Sequence, residues 1–292
     1  GASAHLDVII SVRGTNDNPL LLNVPPLSVR DGGAVEHGQL NATDVDIRDT
    51  LIFSTAAQVP GFTLSADGAW SFDPANAAYL HLVDGATQIL SIPVSVNDGH
   101  GGTATQILTI TLIGTNQAAV IAGVDTGSVT EDTTSPSSHL LETGGQLTVR
   151  DPDSDQAVFT DHSGAAALTG SYGSLSIDAS GAWHYSADNN QAAVQQLGRG
   201  ATLTEHFAIT SVDGTQHTVT VTLNGTNDVP VLNAISARNA VEDGVNLTGQ
   251  LTATDIDNGD TQRYSTTSTT AGFTLNANGS YSFNPGNAAY QH

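Results

Sequence analysis

The sequence predicts an all-β chain, built as tandem β-sandwich repeats that follow one another in a linear rod. Three observations predict it. Gly-Thr-Asn occurs three times, beginning at Gly14, Gly114 and Gly225, with starts 100 and 111 residues apart (114 − 14; 225 − 114). Self-similarity at a near-fixed period is the signature of a repeat architecture. Each copy closes a stretch of alternating apolar and polar residues, at 6–12, 107–112 and 218–223, the period of a half-buried strand. Between the copies, short runs rich in Val, Ile and Thr are broken by Gly, Asn and Asp, and helix-period stretches are scarce.

In chain order, residues 1–17 read as a final strand and linker whose own repeat is absent. The stretch from Gly1 to Gly14 matches that from Gly101 to Gly114 at a constant offset of 100. The first full repeat is expected over 18–117. Leu20–Leu22 and Leu27–Val29 form a first strand bent at Pro25-Pro26, and 39–43 a second that ends in Asp44-Val45-Asp46. A third follows at 50–54. Phe62–Leu64 and 69–72 flank Asp67-Gly68, a pair that tolerates the positive φ of a hairpin turn. Trp70 and Phe72 share a face, the core side. Residues 76–80 read as a short helical turn, and 88–96 and 103–113 as closing strands joined at Asn97-Asp98-Gly99. About seven strands in about 100 residues is the size of an immunoglobulin-like sandwich.

The second repeat, 118–228, is longer. One insertion holds Ser135-Pro136-Ser137-Ser138-His139 and a second lies around Gly164–Gly173; both read as loops. The third, 229–292, matches the first at a constant offset of 211 (Gly14 to Gly225, Asp44 to Asp255, His81 to His292) and is incomplete: its C-terminal strands are absent.

The bulk chemistry excludes several function classes. The 292 residues suffice for two or three domains. There is no Cys for disulfide or thiol chemistry, and no Met even at position 1, so a piece of a longer chain or a processed product is expected. All seven basic residues are Arg, against 29 acidic ones, for a net charge of −22. Such a surface repels nucleic acid and anionic membranes and suits a chain that binds cations. No run has the length of a membrane span, and no signal-peptide pattern opens the chain.

The acidic residues recur in register. Asp44/Asp46, Asp151/Asp153 and Asp255/Asp257 lie at one place in each repeat. Asp98 and Asp213 each precede a Gly between the last two strands. Glu131 and Glu242, and less clearly Asp31 or Glu36, lie near each repeat's start. The linkers add Asn16-Asp17, Asn116 and Asn227-Asp228, giving five or six oxygen donors at a domain end. Carboxylates packed so closely repel unless a cation sits among them, and Ca²⁺ accepts six to eight oxygens in loose geometry. Asp also favours turns and solvent, so one pair alone would be an ordinary strand end. Three pairs in register favour calcium. An EF-hand is excluded: Asp151-Pro152-Asp153-Ser154-Asp155 lacks the sixth-position Gly and has His162 where the bidentate Glu belongs.

These motifs resemble a known family. Asn16-Asp17-Asn18-x-Pro19 resembles the cadherin inter-domain linker, Ala42-Thr43-Asp44-Val45-Asp46 and Ala253-Thr254-Asp255-Ile256-Asp257 its Asp-x-Asp motif, and Asn97-Asp98-Gly99 its Asp-x-Gly motif. The Gly-Ala-Trp-Ser-Phe segment and the Gly-Thr-Asn-Asp-x-Pro punctuation are similar to bacterial VCBS or cadherin-like repeats, the extender arrays of RTX-type adhesins. The resemblance covers the whole chain. It implies calcium at the junctions, type I secretion, and an extracellular role at the bacterial surface in adhesion and biofilm. Gln117 departs from the pattern, so its junction is expected to be weaker or to hold fewer ions.

No Ser-His-Asp elbow, P-loop or zinc motif is present, and paired Asp in every repeat fits a structural site better than one active site. Trp70, Trp183 and Tyr281 occupy equivalent positions and read as core aromatics. A carbohydrate- or protein-binding module is the alternative to an extender. The expected partners are neighbouring repeats, with head-to-tail self-association through the split terminal repeat as a further option.

Overall fold

A computed structural model of the chain describes residues 1–133 and 138–291. Two compact units are present: Gly1–Val120 with Arg150–Ala157, and the rest of the chain.

The first sandwich contains β1 (Leu20–Leu21), β2 (Leu27–Arg30), β3 (Glu36–Gln39), β4 (Ala42–Thr43), β5 (Ile52–Ser54), β6 (Phe62–Leu64), β7 (Ala69–Phe72), β8 (Thr87–Asn97) and β9 (Thr103–Ile113). One sheet has the order β2-β9-β8-β5 and the other β3-β7-β6, while β1 pairs with β4. Proline lacks the N–H that a ladder needs. Pro25-Pro26 accordingly marks where the chain leaves its antiparallel pairing with β4 and enters a parallel pairing with β9. The period-2 pattern turns Ile92, Val94 and Val96 of β8 and Leu108, Ile110 and Leu112 of β9 inward. They meet Leu40, Phe53, Phe72 and Tyr79 in one core. Each such side chain contributes about 1.5–3 kcal/mol by leaving water. Gly68 takes φ +87° in the β6–β7 hairpin, and a Cβ there would lie 2.6 Å from the Leu40 carbonyl oxygen.

The second sandwich contains β10 (Val120–Gly123), β11 (Thr126–Thr130), β12 (Leu140–Arg150), β13 (Leu168–Thr169), β14 (Gly173–Ile177), β15 (Ala182–Asp188), β16 (Thr202–Thr210) and β17 (Gln216–Asn224). The sheets are β10-β12-β15-β14-β13 and β11-β17-β16. Trp183 is buried in the core, and its Nε1 donates to the Val124 carbonyl at 2.6 Å. The counterpart of β5 shrinks to a single bridge between Phe159 and Ser211.

The C-terminal segment contains β18 (Val231–Leu232), β19 (Leu247–Gln250), β20 (Ala253–Thr254), β21 (Phe273–Leu275) and β22 (Ser280–Phe283). Their pairings, β18 with β20 and β19-β22-β21, repeat those of β1 with β4 and β3-β7-β6. Among the described residues no second sheet covers them. Leu247, Phe273, Leu275, Tyr281 and Phe283 therefore line an open groove of about 640 Å³.

The short turn expected at 76–80 is present, with Tyr79 N–H donating to the Asn76 carbonyl at 2.9 Å. Two expectations are corrected. Residues 1–13 form no strand and are exposed throughout, because no described strand pairs with them and alternation alone cannot hold a ladder. The insertion at 164–173 is more than a loop: it contains a 3-10 turn (Gly164–Ala166) and β13, which extends the sheet beyond β14. The insertion at 135–139 lies largely outside the described residues, as does His292.

Candidate metal centres

The same arrangement of hydrogen bonds recurs at three linkers. The backbone N–H of Asp17, Gln117 and Asp228 donates to Oδ2 of Asp46, Asp153 and Asp257, each at 2.8 Å. Within each Asp-x-Asp pair the second residue's N–H donates to the first carboxylate: Asp46 to Asp44 at 2.9 Å, Asp153 to Asp151 at 2.8 Å, and Asp257 to Asp255 at 3.1 Å. An Asx turn of this kind follows from Asp at a strand end. It clamps one oxygen of each carboxylate to the backbone and points the pair at the linker. The next residue reaches the preceding sandwich in two cases. Ser154 N–H donates to the His81 carbonyl and Asn258 N–H to the Gln196 carbonyl, both at 3.1 Å.

A second group comes from the preceding strand end. Asp31 Oδ1 accepts from Thr115 N–H at 2.7 Å and from its hydroxyl at 2.6 Å. Glu131 Oε1 accepts from Thr226 N–H at 2.7 Å. Both carboxylates are buried, so the choice left open between Asp31 and Glu36 resolves to Asp31. Glu36 instead sits half-buried within β3, opposite Phe72.

Two tight triads result: Asp44, Asp46 and Asp49, and Asp255, Asp257 and Asp260. In each, one oxygen from every residue lies within 4.8 Å of the others. Asp49 is 7% exposed and its Oδ1 lies 2.9 Å from His100 Nδ1. Asp98 is fully buried and accepts from Asn16 Nδ2 at 2.8 Å and from the N–H groups of His100 and Gly102 at 2.7 and 3.0 Å. These hydrogen bonds, Asn16 foremost, hold its pKa below the ordinary carboxylate value.

Around Asp228 the electrostatics run the other way. Burial first, then the neighbouring Asp132, Asp228 and Asp257, push the Glu131 carboxyl up, against the pull of the Thr226 N–H. Burial and then Asp132, Asp257 and Asp255 raise Asp228. The acids around this linker thus repel one another and are short of counter-charge.

Buried carboxylate oxygens without a hydrogen-bond partner mark the same places: Asp44 Oδ2, Asp49 Oδ2, Asp31 Oδ2, Asp153 Oδ1, Glu131 Oε2, Asp228 Oδ2 and Asp257 Oδ1. A buried unsatisfied polar group costs about 1–3 kcal/mol, and more when charged. Hard oxygen donors, collected from strand ends and a linker and left without donors of their own, are the set that a calcium ion takes.

Other predicted donors are placed differently. Asp213 is occupied within its own turn by Ser211 Oγ, Thr215 N–H and Thr215 Oγ1. Asn116 and Asn227 are exposed, and Asn227 Nδ2 donates to the Asp228 carbonyl. Glu242 is exposed. Asp49 and Asp260 stood outside the predicted ligand set. The repeat offset could have found them, since Asp49 plus 211 is Asp260.

Sandwiches of this topology, following one another in sequence with acidic linkers between them, define a cadherin-like tandem repeat protein. The family model of the bacterial cadherin-like domain matches residues 16–114 and 116–225, and the chain belongs to that family. No curated protein matches the sequence. Among solved structures, the chain is similar to the protocadherin GammaB4 extracellular domain (17% identity, 94% of this chain and 45% of that one, TM-score 0.51). It is also similar to the protocadherin gammaB7 EC3-6 cis-dimer structure (14% identity, 92% and 65%, TM-score 0.50). The chain spans less than two thirds of either, and at these identities the likeness is one of fold. Among the described residues no helix is long and apolar enough to cross a membrane.

Proposed function

We propose that the chain is a run of calcium-rigidified extender repeats from a large secreted bacterial adhesin of the RTX type, working outside the cell in surface attachment and biofilm. Cadherin-like domains are structural and adhesion modules, and this reading assigns the chain no catalysis. The observation that carries it is the set of buried carboxylate oxygens left without partners at each linker. Asp17, Asp44, Asp46 and Asp49 would hold an ion at the first linker, and Glu131, Asp228, Asp255, Asp257 and Asp260 at the third. Calcium supplies the positive charge that these groups lack and accepts their oxygens in loose geometry. The chain's own part is to fix the donors. Strand ends hold Asp31 and Glu131, Asx turns hold the Asp-x-Asp pairs, and the linker N–H groups tie each pair to the incoming chain. With the charges neutralised, a linker becomes a fixed joint; without calcium the same acids drive it open.

Small-angle scattering with calcium and with excess chelator tests this. The maximum dimension should be well defined with calcium and should spread to more bent forms in chelator. An identical profile in both sinks the reading. Head-to-tail self-association belongs to the same proposal. It is supported by the exposed Leu6, Val8, Ile10 and Val12 and by the open apolar groove at 232–283. Deleting residues 1–13 should then abolish any oligomer, and an unchanged oligomer distribution argues against it.

A further inference from the structure

We infer that the joint built on Gln117 is a cation-poor one, holding at least one calcium ion fewer than the joint built on Asp228, with side-chain amides standing in place of the missing charge. The inference rests on the calcium reading above and concerns how binding is distributed along the chain.

Three positions change together at this joint. Gln117 stands where the other linkers have Asp17 and Asp228. Gln156 stands where the triads have Asp49 and Asp260; its N–H donates to the Asp153 carbonyl at 3.3 Å, as that of Asp49 does to Asp46 at 3.2 Å. Gly32 stands where the later repeats have Asp132 and Asp243, and all three share a positive φ (65°, 59° and 58°). Together these positions leave the joint three carboxylates short of the one built on Asp228, which has Asp228, Asp260 and Asp132 there.

The geometry shows what replaces it. Gln117 Nε2 donates to the Thr115 carbonyl at 3.2 Å and to its hydroxyl at 3.1 Å. That hydroxyl donates in turn to Asp31 Oδ1 at 2.6 Å. An amide, a hydroxyl and a carboxylate therefore form one chain of donors, and the polarised amide N–H does part of what a cation would do. Gly32 lies beside this amide: a Cβ there would meet Gln117 Nε2 at 3.5 Å, an ordinary contact, so what the glycine changes at this position is the charge. In the second repeat the equivalent Asp132 is held by Asn189 Nδ2 and Gln195 Nε2, each at 3.0 Å, and adds to the charge pressing on Asp228.

The joint is reduced, not abolished. Asp31 and Asp153 are each 2% exposed, and each keeps one buried oxygen without a partner, Oδ2 and Oδ1. With Asp151 beside them, one centre of attraction remains. Asp155 is exposed and does not restore the lost carboxylate. Calcium affinity follows the number of charged ligands, so this centre is the weaker one.

Calorimetric titration of the whole chain with calcium chloride tests this, comparing the wild type with Gln117→Asp/Gln156→Asp. The wild type should show a tight and a weak class. The double variant should gain at least one ion, or tighten the weak class about tenfold, as added carboxylates do. The reverse exchange, Asp228→Gln, covers the case in which the double variant does not fold, and it should remove at least one ion from the tight class. Calcium binding by the wild type with an unchanged isotherm in a folded variant overturns this inference alone. No binding by the wild type overturns the calcium reading and this inference with it.

Discussion

Asp46→Asn separates a structural Asx turn from a metal site. Asp46 accepts from Asp17 N–H and belongs to the triad with Asp44 and Asp49, whose oxygens lie within 4.8 Å of one another. An asparagine keeps an acceptor for Asp17 and removes one charge. At an effective dielectric of 20, two unit charges at this separation repel by about 3.5 kcal/mol. Two such pairs vanish in the variant. All three residues are only partly buried, and solvent screening reduces the sum to roughly 2 kcal/mol. In chelator the variant should therefore be more stable, by about 10 °C in Tm for a domain of this size. In millimolar calcium the order should reverse. Ion binding adds about 2.7 kcal/mol at a hundredfold excess over Kd, and the variant forfeits most of it. Thermal melting followed by circular dichroism, in chelator and in calcium, reads both arms. If the variant melts lower than wild type in chelator, or keeps the full calcium shift, the carboxylates act as turn formers and the metal reasoning fails.

Three further outcomes follow from the geometry. Hydrogen bonds from Ser180 first, then from Ala182 and neighbouring N–H groups, hold Asp178 below its ordinary value of 3.8. A lowered folded-state pKa contributes stability that is present above the ordinary value and lost as the pH falls through the folded one. Asp178→Asn should flatten the stability–pH curve below about pH 4, and an unchanged acid limb in denaturant titrations refutes the assignment. Gly68→Ala should destabilise the first sandwich by about 2 kcal/mol or more, since it adds a Cβ both at positive φ and against the Leu40 carbonyl; a loss under about 0.5 kcal/mol in urea unfolding contradicts the turn geometry. Glu205→Ala should cost about 2–4 kcal/mol, because Tyr172 N–H and the Tyr185 hydroxyl both lose their acceptor inside the core. Chemical denaturation measures it, and a neutral result shows that water reaches the cluster.

Much of the fold was legible because strand period, hairpin chemistry and repeat spacing are local signals. Asp67-Gly68 marked the β6–β7 turn, and the alternation of 107–112 marked the inner face of β9. What escaped was decided by partners distant in sequence. Residues 1–13 carry the same alternation as β9, yet they form no strand, because a ladder needs a neighbour. Asp31 looked weaker than Glu131, but the partner that holds its carboxylate is Thr115, 84 residues away. Asp49 was hidden by a loop whose flanking residues, Ile47-Arg48, differ from Asn258-Gly259 in the matching loop.

The second sandwich shows how such coupling works inside a core. Tyr185 stands two residues after Trp183, as Phe72 stands after Trp70, and both rings are buried. Glu205 lies eight residues before Asp213, as Leu90 lies before Asp98. The pair Leu90 and Phe72 has thus become Glu205 and Tyr185, joined by a buried hydrogen bond. A carboxylate there is tolerable only with its lone pairs occupied, and the insertion at 164–173 supplies the second donor, Tyr172 N–H at 2.9 Å. Gly170 leaves the space, since a Cβ there would overlap Glu205 Oε1. The insertion is therefore bound to the core by its polar partner: a sequence comparison records three unrelated changes, and the structure makes them one.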